Sequence, residues 1–152
     1  MAALPRPESL RVLCIDGGGV KGYTSLLILK RVFRTMMAEA GLTEMPKPCD
    51  VFDLIIGTST GGLIAVMLGR LRMTIDECLA KYEQVGKVVF GKKPRGGKFG
   101  KVMKGLTSSA FYDVGLLQQE IKVLLKAKEI GEETPFKEPN VASCKVLVWS
   151  MD

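Results

Sequence analysis

Gly57, Ser59 and Gly61 stand at G-x-S-x-G spacing within "FDLIIGTSTGGLIA", residues 52 to 65, between an apolar run and a helix-like apolar segment. Glycines around a serine leave room for a cramped strand-turn-helix elbow, which lifts the hydroxyl off the carboxyl edge of a sheet as a nucleophile. The amino terminus of the following helix then lies behind it. Upstream, "LCIDGGGVKGYTSL" places glycines at 17, 18, 19 and 22. Strand, glycines and helix in that order leave backbone N–H groups uncovered and convergent, which suits an oxyanion or a phosphate. Each stretch also has a purely structural reading: a tight βα turn with Ser59 as helix cap, and a glycine turn chosen for close packing. A serine hydroxyl needs a base before it attacks anything. The 152 residues contain no histidine, so a Ser-His-Asp triad within this chain is excluded.

The elements that must hold these residues follow from pattern. "LRVLCI" at 10 to 15 reads as a buried strand that stops at Asp16 and the glycines. From about Thr24, Leu26, Leu29, Phe33, Met36 and Ala40 recur at three- and four-residue steps with Lys30, Arg31, Arg34 and Glu39 between them. That is an amphipathic helix, which Gly41 ends. After the Pro-rich loop "MPKPCD" comes a second strand, "VFDLII", then the elbow and a helix through "GGLIAVMLGRL". Two strand-glycine-helix units in succession predict a parallel α/β sheet. Thr74 with Glu77 has capping-box spacing and opens a helix through about Val89. Residues 91 to 105 are Gly- and Lys-rich and read as a long loop; Asp113 caps a helix to about Lys128, and "CKVLVW" at 144 to 149 is a third strand. Residues 1–9 form a tail and 10–152 one domain.

A hydrophobic content of 47% allows a sizeable core. The net charge of +6, from 22 basic and 16 acidic residues, favours anionic partners, with membrane headgroups and nucleic acid both compatible. Four cysteines without a C-x-x-C pair, and no histidine, offer no zinc constellation, so no metal and no cofactor is expected. The longest apolar stretch, "LIAVML" at 63 to 68, is too short to span a bilayer. A soluble, cytoplasmic chain with reduced thiols is the expectation, one that visits membranes at most peripherally.

Read together, "DGGGVKG" and "GTSTG" resemble the patatin-like phospholipase family, whose hallmark is a D-G-G-G-x-[KR]-G loop followed by a G-x-S-x-G serine elbow. The order, contexts and spacing match, and the resemblance covers Leu10 to Val148. It implies a three-layer α/β/α fold with a mainly parallel sheet. It also implies that Ser59 is the acylated nucleophile, that the amides of Gly17, Gly18 and Gly19 hold the oxyanion, and that Asp16, Lys21, Gly22, Gly57 and Gly61 support the two motifs. The implied activity is hydrolysis of acyl esters of phospholipids or other glycerolipids, with no nucleic acid partner. That family uses a Ser-Asp dyad without histidine, which agrees with this composition.

The family's aspartate lies in a D-G-[GA] motif downstream of the serine, whereas the only Asp-Gly pair here is Asp16-Gly17, already part of the loop. Asp50 and Asp53 precede the serine; at about 3.3 Å per residue Asp53 starts roughly 20 Å from Ser59. Asp76 and Asp113 read as helix caps, Asp16 as shaping its own turn, and Asp152 as a frayed terminal residue. The expectation is therefore the amino-terminal portion of a patatin-like domain, truncated before its base and weakly active or inactive as a hydrolase. The basic stretch 87–104, with Lys87, Lys92, Lys93, Arg95, Lys98, Lys101, Lys104, Phe90 and Phe99, suits anionic lipid at about 1 kcal/mol per basic residue near the surface. A solvated loop is the alternative. Two rivals stand beside the hydrolase: an inactive lipid-binding fragment, and a sugar-kinase or actin-like ATPase, whose phosphate loop "IDGGGVKG" also looks like but which needs a hairpin after it.

Overall fold

The computed structural model describes residues 9–90, 114–128, 130–131, 133–134 and 144–149. Three strands, β1 (Val12–Ile15), β2 (Leu54–Thr58) and β3 (Lys145–Trp149), form one parallel sheet in the order β1-β2-β3. The register pairs Ile15 with Gly57 and Gly57 with Val148, so the two motif-bearing strands end together. This is the parallel α/β architecture expected from the strand-glycine-helix repeats. The described residues fall into two units, one reaching Tyr82 and including β3, the other running from Glu83 to Thr134.

Helix α1 (Lys21–Glu39) starts directly after the glycine loop and buries Gly22, Leu26, Leu29 and Phe33. These recur at helical spacing, as the apolar pattern requires. Of the remaining expected positions, Met36 is only half-buried and Ala40 is exposed at the helix end. Gly41 follows at φ 61°, the left-handed conformation that terminates a helix. Leu27, Ile28 and Val32 of the same helix stay exposed.

The second strand differs from expectation at its start. Pro48–Val51 forms one helical turn, α2, with proline at its first position, and β2 begins only at Leu54. Proline preset for that turn costs nothing at a helix start. Asp53 then fixes the strand entry: its carboxylate accepts from Arg11 N–H at 2.9 Å and from Arg11 Nε at 3.4 Å. At the centre of the sheet Ile55 is fully buried.

Beyond the elbow, α3 (Thr60–Ala65) passes into a π-helical turn, Val66–Arg70. Ile64, Met67 and Leu68 from this segment, with Leu26, Phe33 and Ile55, are among the fully buried side chains of the core. Each contributes about 1.5–3 kcal/mol of apolar burial. Helix α4 (Ile75–Phe90) opens with the expected capping box: Thr74 N–H donates to Glu77 Oε2 at 2.7 Å and Glu77 N–H to Thr74 Oγ1 at 3.1 Å. Asp76, expected as a cap, is instead ion-paired with Lys30.

In the second unit, α5 (Val114–Ala127) buries Leu124. Lys87 pairs with Glu83 one helical turn away, at 2.8 Å. The Lys-rich stretch 91–104, Asp113 and Asp152 lie outside the described residues. No described helix is long and apolar enough to cross a membrane.

Candidate active site

Ser59 sits between β2 and α3 with φ 52° and ψ −124°, and its side chain is exposed. A non-glycine residue at positive φ costs on the order of 1–3 kcal/mol and persists only when its surroundings hold it. Here the backbone does so. Ser59 N–H donates to the Trp149 carbonyl at 3.4 Å, and the Ser59 carbonyl accepts from Gly62 N–H at 2.9 Å and from Leu63 N–H at 3.3 Å.

The flanking glycines are required by close approach. A Cβ on Gly57 would run into the Gly61 carbonyl oxygen, and one on Gly61 into the Ile15 carbonyl oxygen, both nearer than real Cβ contacts come. The elbow thus closes on itself and on the end of β1.

The glycine loop is folded against that elbow. A Cβ on Gly17 would lie 2.9 Å from Ser59 Cβ and 2.8 Å from the Thr58 carbonyl oxygen. Gly17 N–H donates to Thr58 Oγ1 at 2.9 Å. Gly18 and Gly19 N–H both donate to Thr60 Oγ1, at 3.2 and 3.1 Å. The three amides singled out as oxyanion donors therefore converge on the two residues either side of Ser59, and each ends on a threonine hydroxyl.

Support for the loop comes from two sides. Gly18 and Gly19 adopt φ 132° and 56°, conformations in which side chains are strained. The buried Tyr82 hydroxyl of α4 donates to the Gly19 carbonyl at 2.6 Å, and its ring fills the space where Gly22 lacks a side chain. Lys21, exposed at the first position of α1, runs its stem beside Gly18. Asp16 leads the loop with an exposed side chain, while its backbone carbonyl faces Gly61.

Thr58, Thr60 and Tyr82 are site residues that motif reading passed over. The threonines stand beside the serine in the sequence, but nothing there pairs them with the loop amides; Tyr82, 63 residues from its partner Gly19, likewise carries no sequence signal of that contact.

Among the described residues no carboxylate is hydrogen-bonded to Ser59 Oγ. Asp50 is paired with Arg72 at 2.6 Å, Asp53 with Arg11, and Asp76 with Lys30. Nor does any group of acidic or cysteine side chains among the described residues form a metal cluster. Burial pushes the Cys49 and Cys78 thiols up, and it raises Cys144 to about 11. These thiols stay neutral at physiological pH and do not compete as nucleophiles. An apolar groove of about 400 Å³ runs between β1 and α1, with Leu13, Ile28, Val32 and Phe52 in its walls and Asp16 at its rim. Ser59 does not line it.

Comparison with known proteins agrees with the motifs. The model of the patatin-like phospholipase family matches residues 13–145. The chain is 43% identical over 86 residues to phospholipase A I of Arabidopsis thaliana, covering 56% of this chain and 6% of that protein. It is 38% identical over 106 residues to the human calcium-independent phospholipase A2-gamma, covering 70% of this chain and 12% of the relative. With the cGAMP-activated phospholipase of Vibrio cholerae the identity is 30% over 144 residues, 93% of this chain and 38% of the other. The chain thus spans well under half the length of these relatives. No solved structure matches it.

Proposed function

Because the chain belongs to the patatin-like phospholipase family, we propose that it is a glycerolipid acyl hydrolase with Ser59 as its nucleophile and the Gly17, Gly18 and Gly19 amides as its oxyanion hole. The observation that carries this reading is the exposed, positive-φ Ser59 with the glycine loop folded onto it, Gly17 beside its Cβ. Strain held in place at a single exposed serine, next to convergent amide donors, is the arrangement that acyl transfer uses.

In this reading Ser59 Oγ attacks the acyl carbonyl carbon while its proton passes to a carboxylate. The new C–O bond converts the carbonyl oxygen to an oxyanion, which the loop amides bind. Collapse breaks the bond to the glycerol oxygen, and that oxygen takes the proton. Water then adds to the acylated serine and releases the fatty acid. Preorganised amide donors are worth about 3–4 kcal/mol each in such steps.

The base is the open role. Asp50, Asp53 and Asp76 are held in ion pairs, and no Asp-Gly pair follows Ser59 in the sequence. Asp16 opens the loop at the same strand edge. A second reading, lipid binding without turnover, draws on the absence of a carboxylate partner for Ser59 among the described residues. Lipid contact through the basic stretch 87–104, with Lys87 paired within its helix, belongs to both. The ATPase rival loses its main requirement, since α1 starts at Lys21 where a hairpin would be needed.

Release of fatty acid from phospholipid vesicles separates the two. The hydrolase reading expects release that Ser59→Ala abolishes while co-sedimentation with the vesicles is unchanged. Co-sedimentation without release, in wild type and variant alike, supports lipid binding; release that survives Ser59→Ala contradicts the assigned nucleophile.

A further inference from the structure

The amides of Gly18 and Gly19 are not open in this structure. Both end on the single hydroxyl oxygen of Thr60, the residue after Ser59. We propose that Thr60 is a positioning residue for acyl transfer, whose hydroxyl holds the glycine loop against the nucleophile and yields its place to the oxyanion. This rests on the assignment of Ser59 and the loop made above.

Two adjacent glycines at φ 132° and 56° have access to many other conformations, so contacts from outside the loop add to the bonds it makes itself, Lys21 N–H to the Gly18 carbonyl and Gly22 N–H to the Gly19 carbonyl. The Gly19 residue is fixed at both of its polar backbone groups: Tyr82 donates to its carbonyl and Thr60 accepts from its N–H. Thr60 begins α3 and is bonded directly to Ser59, so any shift of the elbow carries the acceptor, and the loop, with it. Gly17 is tied independently, to Thr58 on the other side of the serine. The nucleophile and its donors are therefore one mechanical unit, with Thr60 holding two of the three amides.

The same contact is one that the transition state can replace. A hydroxyl oxygen and a ground-state ester carbonyl are both neutral acceptors, so the ester gains little by displacing Thr60. A charged oxyanion makes hydrogen bonds about twice as strong as neutral ones. It therefore displaces the hydroxyl as charge develops, because its stronger bonds to the amides exceed the cost of giving up those to Thr60. Because both lone pairs of Thr60 Oγ1 are engaged by amides, its own proton remains directed away from them.

Amide exchange and labelling of a ¹⁵N-enriched chain test this together. Wild type is compared with Thr60→Ser, which keeps the acceptor, and Thr60→Val, which keeps the shape without it. Thr60→Ala is read in the same way should the valine variant fail to fold. Gly18 and Gly19 amides are expected to exchange about tenfold or more faster in Thr60→Val, with Thr60→Ser near wild type and Gly17 unmoved. Inactivation by a fluorophosphonate should show a limiting rate about tenfold lower in Thr60→Val at little-changed half-saturation, restored in Thr60→Ser. Equal Gly18 and Gly19 exchange in wild type and Thr60→Val overturns the proposal. So does a Thr60→Val limiting rate equal to or above wild type. A wild type that is not labelled at Ser59 counts against the hydrolase assignment instead, and the exchange rates then decide the Thr60 contact alone.

Discussion

At its amino end β2 is entered through Asp53, whose carboxylate accepts from the Arg11 N–H and guanidinium while its backbone joins β1 and β3. At its carboxyl end the same strand runs into Ser59 at φ 52°, with Gly57 against the Gly61 carbonyl and Gly17 against Ser59 Cβ. The amino end adds a part-exposed side-chain ion pair to these backbone bonds, and its neighbours Asp50 and Arg72 form a further ion pair that is largely exposed. The other end combines threonine hydroxyls bonded to the loop amides with close backbone approach at Gly57 and Gly61, where no Cβ fits. Side-chain ties tolerate exchange because water and other polar groups can replace them. Backbone contacts do not, and they fix atoms closely enough to direct a nucleophile. The difference between the two ends of one strand locates the candidate chemistry more surely than either motif alone.

The largest expected effect that sharpens this contrast is Gly57→Ala. Its Cβ meets main-chain atoms that cannot swing away, so urea unfolding should show a loss of about 3 kcal/mol or more. A loss under about 1 kcal/mol would mean that the elbow is looser than described. Next comes Tyr82→Phe, which removes one of the two donors to the buried Gly19 carbonyl and leaves Gly22 N–H at 2.9 Å as the other. It should cost about 0.5–1.5 kcal/mol, and unlike a simple core defect it should also speed Gly19 amide exchange.

Those two changes also mark what was legible in advance. The strands, α1, the capping box at Thr74 and the glycine motifs all followed from local pattern, because period and turn chemistry are written within short windows. Contacts such as Tyr82 to Gly19 and Gly17 to Thr58 were not, since they depend on tertiary distances that no window contains. The start of β2 was misplaced for a related reason: "VFDLII" is apolar except for Asp53, and the proline-initiated turn at Pro48–Val51 delays the strand. Ser59 could be nominated from its neighbours, but its positive φ and the capture of the loop amides by threonine required the fold.

Smaller effects follow. Ser59→Gly removes the conformational strain at φ 52° and should stabilise the chain by about 1 kcal/mol in thermal unfolding. Destabilisation instead would indicate that the serine side chain is held by contacts of its own. At the opposite end, Asp53→Asn weakens the tie to Arg11, two part-exposed groups, and should cost about 1 kcal/mol or less. It should leave the reactivity of Ser59 unchanged, because the two ends of β2 are separate in space; a matched loss of reactivity would break the comparison.

The most direct test of the central claim is labelling with a fluorescent fluorophosphonate, wild type against Ser59→Ala. The account predicts a covalent adduct on Ser59 in the wild type, located by peptide mass, and none in the variant. Wild-type protein that is folded yet unlabelled, or an adduct that persists in Ser59→Ala, would contradict it.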